Sequence, residues 1–262
     1  MIITTTIKAA ENVREEARML AKNWDSSYMD RKKRSILKWK SDTSQDIYIV
    51  GPVRDTWHSR KSDEAFFFHP GMSWLRTRRL AAGGHDPLIE AAGLKRGMSF
   101  LDCTLGLGSD SIIASFITGD SGHVTALESK KEIARVVEKG LKFWTETDDN
   151  FNRAMRRISI VTENYLSFLE KQPDNLYDVI YFDPMFDFPV ESSRSLNPLR
   201  AAASYEKLNE NTVTEAKRVA KKRVVWKRNI RSQSNYLGFS VPKRRHASTE
   251  YAVIELKKGG QV

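Results

Sequence analysis

The sequence predicts an α/β fold: a mostly parallel sheet with helices on both faces, preceded by a small α+β extension. Two observations predict this class. From Asp86 onwards, short β-branched and apolar runs alternate with helix-length segments, a pattern typical of parallel βαβ units with right-handed crossovers. Before Asp86, the strand-like and helical segments do not follow that pattern. We therefore expect an N-terminal extension at residues 1–82 and a larger, Rossmann-like domain at residues 83–262.

Three segments and one charge run define the extension. Ile2–Thr6 is rich in β-branched residues, which favours a short strand. From Lys8 to about Asn23, apolar residues recur near one face, which predicts a helix. Arg31-Lys32-Lys33-Arg34 is a run of basic residues. Ile47–Val50 has the composition of a strand, and Gly51-Pro52 ends it.

The larger domain is predicted to begin with a helix and then to alternate strands with helices. A sheet of this kind binds its ligands outside the carboxyl ends of its strands, so the residues that follow each strand are candidates for a site. The predicted strands are Ser99–Cys103, His123–Leu127, Ile158–Val161, Asp178–Phe182, Arg223–Lys227 and Tyr251–Leu256, and the predicted helices are Pro87–Ala92, Asp110–Phe116, Lys130–Phe143, Tyr165–Glu170 and Thr212–Ala220.

Composition limits the possible functions. The 262 residues are 40% hydrophobic and 29% charged, which is ordinary for a globular protein. The single cysteine, Cys103, excludes a disulfide framework and a cysteine-rich zinc site, and we expect no metal. No apolar run approaches the ~20 residues of a membrane span, and the N-terminus lacks a signal-peptide core. We therefore expect a cytoplasmic protein.

The positive charge is concentrated at one end of the chain. Lys and Arg number 43 against 33 Asp and Glu, which gives +10, and residues 215–262 account for all of that excess. A one-sided basic excess favours a polyanionic partner, and we expect the basic C-terminal third to bind RNA. Ordinary solvated lysines are the alternative. The candidate contacts are Lys221, Lys222, Arg223, Lys243, Arg244 and Arg245.

A glycine turn follows the first strand of the larger domain. Asp102 stands at the strand end, the chain turns through Gly106 and Gly108, and Asp110 opens the next helix. Glycine allows the backbone to approach a ligand closely. A dinucleotide fingerprint would have a third glycine where this chain has Ser111, and it reserves the helix N-terminus for a pyrophosphate. Carboxylates around the turn suit a ligand with an amino group and a sulfonium, so we expect S-adenosylmethionine (SAM) rather than NAD.

Two further strand ends complete the predicted cofactor site. Glu128 ends the next strand, where its carboxylate can accept hydrogen bonds from both ribose hydroxyls of SAM or NAD. Asn164 follows the third strand, and its amide can meet adenine or the methionine portion of the cofactor. Helix N-capping is the alternative for Asp110 and Asn164, and it can coexist with ligand contact.

The most specific segment is Asp183-Pro184-Met185-Phe186, at the end of a buried strand. The lone pair of an exocyclic nucleobase amine is delocalised into the ring, so acceptors for its hydrogens help to localise the pair for attack. Asp183 and the Pro184 carbonyl can supply two acceptors, and Phe186 can stack on a flipped base. Catalysis would then depend mainly on positioning. A plain strand-terminal turn is the alternative.

Together these segments resemble class I SAM-dependent methyltransferases that act on amino groups, which carry an Asp/Asn-Pro-Pro-aromatic loop at this strand end. More closely, the chain is similar to the small-subunit ribosomal RNA guanine-N2 methyltransferase J family. The segments that carry the resemblance are Gly83-Gly84, Asp102–Asp110, Asp183–Phe186 and Arg223–Arg228. It implies the class I methyltransferase sheet and SAM contacts from Ser109, Asp110, Glu128, Ser129, Asn164 and Asp183.

The resemblance makes an enzyme the leading hypothesis, a SAM-dependent N-methyltransferase acting on guanine N2 of small-subunit ribosomal RNA. A second hypothesis keeps SAM but changes the acceptor to DNA adenine, another RNA or a protein amide, because the same loop serves planar amino groups generally. A third is a catalytically silent RNA-binding assembly factor. The family loop usually continues into proline, whereas Asp187-Phe188-Pro189 follows Phe186 here, and this departure leaves the acceptor open.

Overall fold

A computed structural model of the chain describes residues 1–184, 208–229, 237–241 and 249–256. The described residues form two units. The first contains residues 1–69 together with 131–145, and the second contains the other described residues. Each unit is built around its own sheet. The domain boundary expected between residues 82 and 83 stays a prediction.

The sheet of the first unit combines parallel and antiparallel strands. Its strands are β1 (Ile2–Thr5), β2 (Ser27–Tyr28), β3 (Ile47–Val50), β4 (Thr56–His58) and β5 (Phe66–Phe67), and its helices are α1 (Glu11–Asn23), α2 (Ile36–Asp42) and α6 (Lys131–Phe143). The strand order is β2-β1-β3-β4-β5. β1 is parallel to both of its neighbours, whereas β4 and β5 continue the sheet in antiparallel pairs. Ile2, Ile47 and Ile49 pack with Trp39 of α2 in a buried cluster.

A buried ion cluster holds α6 in the first unit. Lys139 of α6 places Nζ 2.9 Å from Oδ1 of Asp55 and 2.8 Å from Oε1 of Glu16, and its side chain is 3% exposed. Asp55 also accepts hydrogen bonds from Tyr48 Oη at 3.0 Å and from the Gly51 N–H at 3.1 Å. Buried charges are tolerated only with such partners. The cluster therefore ties α6 to the segment between β3 and β4.

The second unit has a mostly parallel sheet. Its strands are β6 (Ser99–Asp102), β7 (His123–Leu127), β8 (Ile158–Val161), β9 (Tyr177–Phe182), β10 (Ala220–Asn229) and β11 (Thr249–Glu255), and its helices are α3 (Met72–Ala81), α4 (Pro87–Ala92), α5 (Ser109–Thr118), α7 (Asp149–Arg156), α8 (Tyr165–Glu170) and α9 (Glu210–Val219). The strand order is β11-β10-β9-β6-β7-β8, with β11 antiparallel to β10. The order reverses between β6 and β9, which is the position where open α/β sheets bind their ligands.

Helices cover both faces of this sheet. Successive residues of a strand point to opposite faces. In β6, Leu101 belongs to a core with Phe168 of α8 and Val213 of α9, whereas Phe100 belongs to a core with Leu88 of α4 and Ala114 of α5. The predicted α/β class, with a mostly parallel sheet between two helical layers, is confirmed.

Some elements are present that the sequence pattern does not predict. β2, β4 and β5 contain two or three residues each, too few for an alternating pattern to be recognised.

The helix α7, in contrast, has a recognisable sequence pattern. Asp148 caps it, and Phe151, Ala154 and Met155 are buried at helical spacing, a combination that marks a helix start.

β10 is longer than predicted, because it runs from Ala220 to Asn229 rather than from Arg223 to Lys227. Residues 223–229 of β10 pair with 249–255 of β11, so pairing with β11 extends β10 beyond its apolar run.

Within the described ranges, no helix is long and apolar enough to cross a membrane.

Candidate active site

The turn after β6 is shaped by glycines. Gly106 has φ +52° and Gly108 has φ +76°, in the left-handed region that a Cβ disfavours. The Gly108 N–H donates to the Leu105 carbonyl at 2.7 Å and closes the turn. Gly108 also occupies the N-cap position of α5, where it has no side chain to cap the helix. The turn therefore presents backbone at the carboxyl end of β6.

Asp102 is buried and its carboxylate braces this turn. Oδ1 accepts a hydrogen bond from the Thr104 N–H at 3.0 Å, and Oδ2 accepts one from Ser111 Oγ at 2.6 Å. Burial raises the pKa of Asp102 to about 7. The structure therefore gives this side chain a role in holding Thr104 and the start of α5, and its direct contact with a cofactor stays a prediction.

Asp110 accepts hydrogen bonds from three other elements. Arg76 Nη1 of α3 lies 2.5 Å from Oδ1, while Tyr181 Oη of β9 and Lys227 Nζ of β10 lie 2.7 and 3.2 Å from Oδ2. Burial would raise the pKa of Asp110, but Lys227 and Arg76 hold it well below its ordinary value. The N-capping alternative for Asp110 is wrong, because Gly108 holds the cap position and the carboxylate serves these partners.

Asp183 follows β9 and lies beside the glycine turn. Its N–H donates to Thr104 Oγ1 at 2.6 Å, and its Oδ2 lies 2.7 Å from Lys227 Nζ. The Asp183 side chain is 26% exposed, so a ligand can reach it. Burial raises the pKa of Asp183, and the Lys227 ammonium opposes that rise. Burial would lower the pKa of Lys227, but Asp110 and Asp183 raise it well above its ordinary value. Asp183 and Lys227 therefore form an ion pair where the strand order reverses.

Arg76 connects this cluster to α4. Its Nε and Nη2 lie 2.8 and 2.9 Å from the two carboxylate oxygens of Asp86, which makes a bidentate pair, while Nη1 reaches Asp110. Asp86 is also the N-cap of α4, because it accepts the Leu88 N–H at 3.1 Å. One guanidinium thus fixes α3, α4 and α5 relative to one another.

The other predicted cofactor residues lie at the expected strand ends. Glu128 directly follows β7, and its Oε1 accepts the Lys130 N–H at 2.9 Å. Burial raises the pKa of Glu128, and backbone hydrogen bonds that include one from Gly106 oppose the rise, so this carboxylate reaches the glycine turn. Ser129 is exposed beside it. Asn164 caps α8 by accepting two backbone N–H groups. Capping is therefore confirmed for Asn164, and its cofactor contact stays a prediction.

Some predicted site residues lie outside the described residues. Phe186 is one of them, whereas Pro184 is described directly after Asp183. Three of the predicted RNA contacts, Lys243, Arg244 and Arg245, also lie outside the described residues. The stacking role of Phe186 therefore stays a prediction.

The predicted RNA contacts that the structure describes, Lys221, Lys222 and Arg223, lie at the amino end of β10. Lys222 Nζ lies 2.9 Å from Asp178, and Arg223 Nη2 lies 2.7 Å from Glu255. Because β9 and β10 are parallel, this end of the sheet is opposite to the carboxyl end that carries Asp183. Part of the predicted RNA-binding charge is thus paired and remote from the candidate site.

Arg76, Tyr181 and Lys227 complete the site without having been predicted as site residues. Lys227 had a recognisable signal, since it ends a predicted strand parallel to the strand that precedes Asp183. Trp226 pairs with Phe182 in the observed register, so the next residue of each strand comes level at the same edge. Arg76 had no such signal, because the sequence does not say which face of α3 turns towards α5.

The balance of charge suits a cationic ligand. Asp86, Asp110 and Asp183 meet three cationic groups, those of Arg76, Arg79 and Lys227. Glu128, after β7, adds a fourth carboxyl group at this edge, and among the described residues no Lys, Arg or His nitrogen lies within 4.0 Å of it. Such an excess of carboxyl groups at an accessible strand end attracts positive charge. In the part of the chain that the structure describes, no group of three or more His, Cys, Asp or Glu side chains could hold a metal ion.

The chain is similar to known proteins over most of its length. The family described as "Putative SAM-dependent methyltransferase" matches residues 58–242. The protein YpiP of Bacillus subtilis (strain 168), described as uncharacterized, is 38% identical over 255 residues, which are 97% of this chain and 99% of YpiP.

Two further relatives carry the name ribosomal RNA small subunit methyltransferase J. The protein from Buchnera aphidicola subsp. Schizaphis graminum is 33% identical over 151 residues, which are 55% of this chain and 58% of that protein. The protein from Thioalkalivibrio sulfidiphilus is 31% identical over 156 residues, which are 56% of this chain and 59% of that protein. The similarity thus spans less than two thirds of these two relatives.

The fold is also similar to a solved structure. The crystal structure of the SAM-dependent methyltransferase NGO1261 from Neisseria gonorrhoeae matches with a TM-score of 0.64 at 18% identity, and the match covers 100% of both chains. At this identity the likeness concerns the fold alone, which is that of class I SAM-dependent methyltransferases.

Removing Arg76 should destabilise the second unit. Arg76→Ala removes the bidentate partner of the buried Asp86, which keeps only Arg79 at 3.5 Å, and one of the two cations of Asp110. Losing one partner of a buried pair costs about 3 kcal/mol or more. The matched control is Arg79→Ala, because Arg79 lies 3.5 Å from the same Asp86 but is 54% exposed. That change should cost less than about 1 kcal/mol. Urea denaturation of both variants checks this, and equal losses would contradict it.

Asp102 should make the stability of the chain depend on pH. Its pKa is about 7 in the folded chain and about 3.9 in an unfolded one. Between these two pH values the folded chain binds more protons than the unfolded chain. The free energy of unfolding of the wild type therefore decreases as the pH rises and Asp102 ionises. Asp102→Asn cannot ionise, so its free energy of unfolding relative to the wild type should increase between pH 5 and 7, by up to ~1.4 kcal/mol per pH unit.

Asp178→Asn is the control for this measurement. Burial acts to raise the pKa of Asp178, but hydrogen bonds from Ser99 and Lys222 outweigh it and lower that pKa. The stability difference between Asp178→Asn and the wild type should therefore stay constant from pH 5 to 7. Urea denaturation at several pH values gives both differences. A constant difference for Asp102→Asn would show that Asp102 is already ionised at pH 5.

Proposed function

The chain belongs to the family of SAM-dependent methyltransferases, and we propose that it methylates an exocyclic amine of a nucleobase, guanine N2 of small-subunit ribosomal RNA. SAM is its cofactor. The observation that carries the proposal is the position of Asp183. Its carboxylate is accessible and lies where the strand order reverses, and its backbone N–H joins the residue to the glycine turn by donating to Thr104.

The residues at this edge fit SAM. The sulfonium and amino groups of SAM are cationic, which suits an edge with more carboxyl groups than cations. In the proposed arrangement the backbone of the glycine turn approaches the cofactor, with Ser109 and Asp110 at the start of α5. Glu128 accepts hydrogen bonds from the ribose hydroxyls, and Ser129 and Asn164 contact the remainder of the cofactor. When bound, SAM supplies a methyl group activated by its sulfonium.

Asp183 and Pro184 orient the target amine. Two hydrogens of an exocyclic amine need acceptors, and the Asp183 carboxylate and the Pro184 carbonyl supply them at adjacent positions of the chain. The Lys227 ammonium opposes protonation of the Asp183 carboxylate, and an ionised carboxylate can only accept hydrogen bonds. Catalysis then comes from positioning the amine for direct attack. Phe186, two residues after Pro184, stacks on the flipped base in this proposal.

The choice of ribosomal RNA is supported by the two relatives named small subunit methyltransferase J. The Asp-Pro-x-aromatic loop alone does not choose between guanine, adenine and a protein amide, because each offers a planar amino group. DNA adenine, another RNA and a protein amide are therefore outcomes that the experiments must separate.

Replacing Asp183 should slow the chemical step. Asp183→Ala removes an acceptor that acts as the amine attacks, so single-turnover methylation at saturating SAM should fall by ~10²-fold or more, the scale of one oriented polar group in other active sites. Asp183→Asn keeps an acceptor oxygen without the charge and should be intermediate. The fold should survive, because Lys227 keeps Asp110 at 3.2 Å.

Calorimetry with SAM is the control for the Asp183 variants. Asp183 is also an expected SAM contact, so calorimetry gives the SAM concentration that saturates each variant. A lower rate at that concentration assigns the loss to the chemical step. A wild-type rate for Asp183→Ala would contradict the catalytic role, and amine methylation would lose its main support.

The acceptor is tested by mapping methyl groups. Mass mapping of ribosomal RNA from a strain that lacks the gene should show one lost methyl group on a guanine of the small-subunit RNA. The purified chain with SAM should restore it, and the Asp183→Ala variant should not. If ribosomal RNA is unchanged and the lost methyl group is on DNA adenine, another RNA or a protein amide, the proposed acceptor is wrong. The chain would still be a methyltransferase.

A further inference from the structure

A basic pocket in the first unit has no part in the site described above. It holds about 370 Å³ and lies at the carboxyl ends of β1 and β2. The chain contributes the loop after β1, the first turns of α1 and the basic run that follows β2. The charged residues of its lining are Lys8, Arg14, Asp30, Arg31, Lys32 and Lys33. Five of these six are basic, so the lining carries a net formal charge of +4.

The basic side chains of this pocket lack carboxylate partners. Among the described residues, no carboxylate lies within 4.0 Å of any of the five, whereas Arg18 and Lys139 of the same unit are both paired. Arg14 and Arg31 donate through Nε to the carbonyls of Ala9 and Arg34, at 3.2 Å each. Those bonds fix both guanidinium groups without neutralising their charge.

The backbone around the pocket supports a binding role. Lys8, Lys32 and Lys33 have φ values of +59°, +48° and +68°, in a region that residues with a Cβ rarely adopt. Residues held in such conformations cluster at sites that bind ligands. Here the strained positions bring three lysines to the rim of one cavity.

We infer that this pocket binds phosphate groups of the RNA backbone. The inference rests on the proposed function only for the choice of RNA as the source of the phosphates. Lysine acts as a point charge for phosphate, and arginine offers a fork of donors. No aromatic side chain of the described residues lines the pocket, so bases have no stacking platform there. The contact therefore positions RNA without reading its sequence.

The test compares two variants that lose the same charge. Lys8→Asn/Lys32→Asn/Lys33→Asn removes the three lysines and keeps a residue that tolerates positive φ. The control, Lys22→Gln/Lys38→Gln/Lys61→Gln, removes three exposed lysines of the same unit that do not line the pocket. Affinity for a labelled oligouridine RNA is measured as a function of salt.

The pocket variant should flatten the dependence of log affinity on log salt by up to ~2, since each lost phosphate contact on a single strand is worth ~0.7. The control should keep the wild-type slope, and both variants should bind SAM as the wild type does. If the triple variant does not fold, Lys8→Asn, Lys32→Asn and Lys33→Asn singly should each lower the slope by up to ~0.7.

Equal slopes for the pocket variant and the control would overturn the inference. So would binding to phosphatidylglycerol vesicles that requires the pocket while RNA binding does not. Failure of the proposed function gives a different result. RNA binding that depends on the pocket, without methyl transfer to ribosomal RNA, would support the phosphate-binding pocket and contradict the proposed acceptor. Methyl transfer to ribosomal RNA with RNA binding that does not depend on the pocket would support the proposed acceptor and contradict the pocket.

Discussion

The carboxylate of Asp110 is the point at which α3, α5, β9 and β10 are joined, through Arg76, Tyr181 and Lys227. Both cations also hold a second carboxylate, Asp86 for Arg76 and Asp183 for Lys227. A buried charge that loses its partner is costly, so no member of the chain of pairs can move independently. This constraint positions the site before any ligand arrives, which is what electrostatic catalysis requires.

The fold was predictable because the central strands β6, β7 and β9 are buried on both faces and therefore appear as continuous apolar runs. Asp183 and Glu128 were predictable for a related reason, since each directly follows such a run. Lys227 is marked in the sequence as the end of a predicted strand, but its pairing with Asp183 follows from the register of β9 and β10, which a sequence does not state. Arg76 follows from the tertiary contact between α3 and α5, and no local pattern encodes that contact.

The grouping of α6 with the first unit shows a second limit of sequence patterns. Its apolar stripe predicts a helix without saying which core the stripe contacts. Lys139 on this helix is a residue type that is almost never buried, yet it is fully engaged by Asp55 and Glu16. A Cβ at Gly140 would lie 2.0 Å from Cγ of Phe68, so glycine permits this packing. A boundary drawn along the chain cannot represent such a discontinuous unit.

The ammonium of Lys227 explains how Asp183 can serve as an acceptor in the proposed reaction. Burial raises the pKa of Asp183, and a protonated carboxyl group would offer a donor where the amine needs an acceptor. Lys227 at 2.7 Å from Oδ2 opposes protonation, and among the described residues it is the one side-chain donor to this carboxylate. The pair therefore favours orienting the amine over removing its proton. Because Lys227 also contacts Asp110, one ammonium group affects both the charge of the catalytic loop and the anchoring of α5, which Arg76 and Tyr181 share.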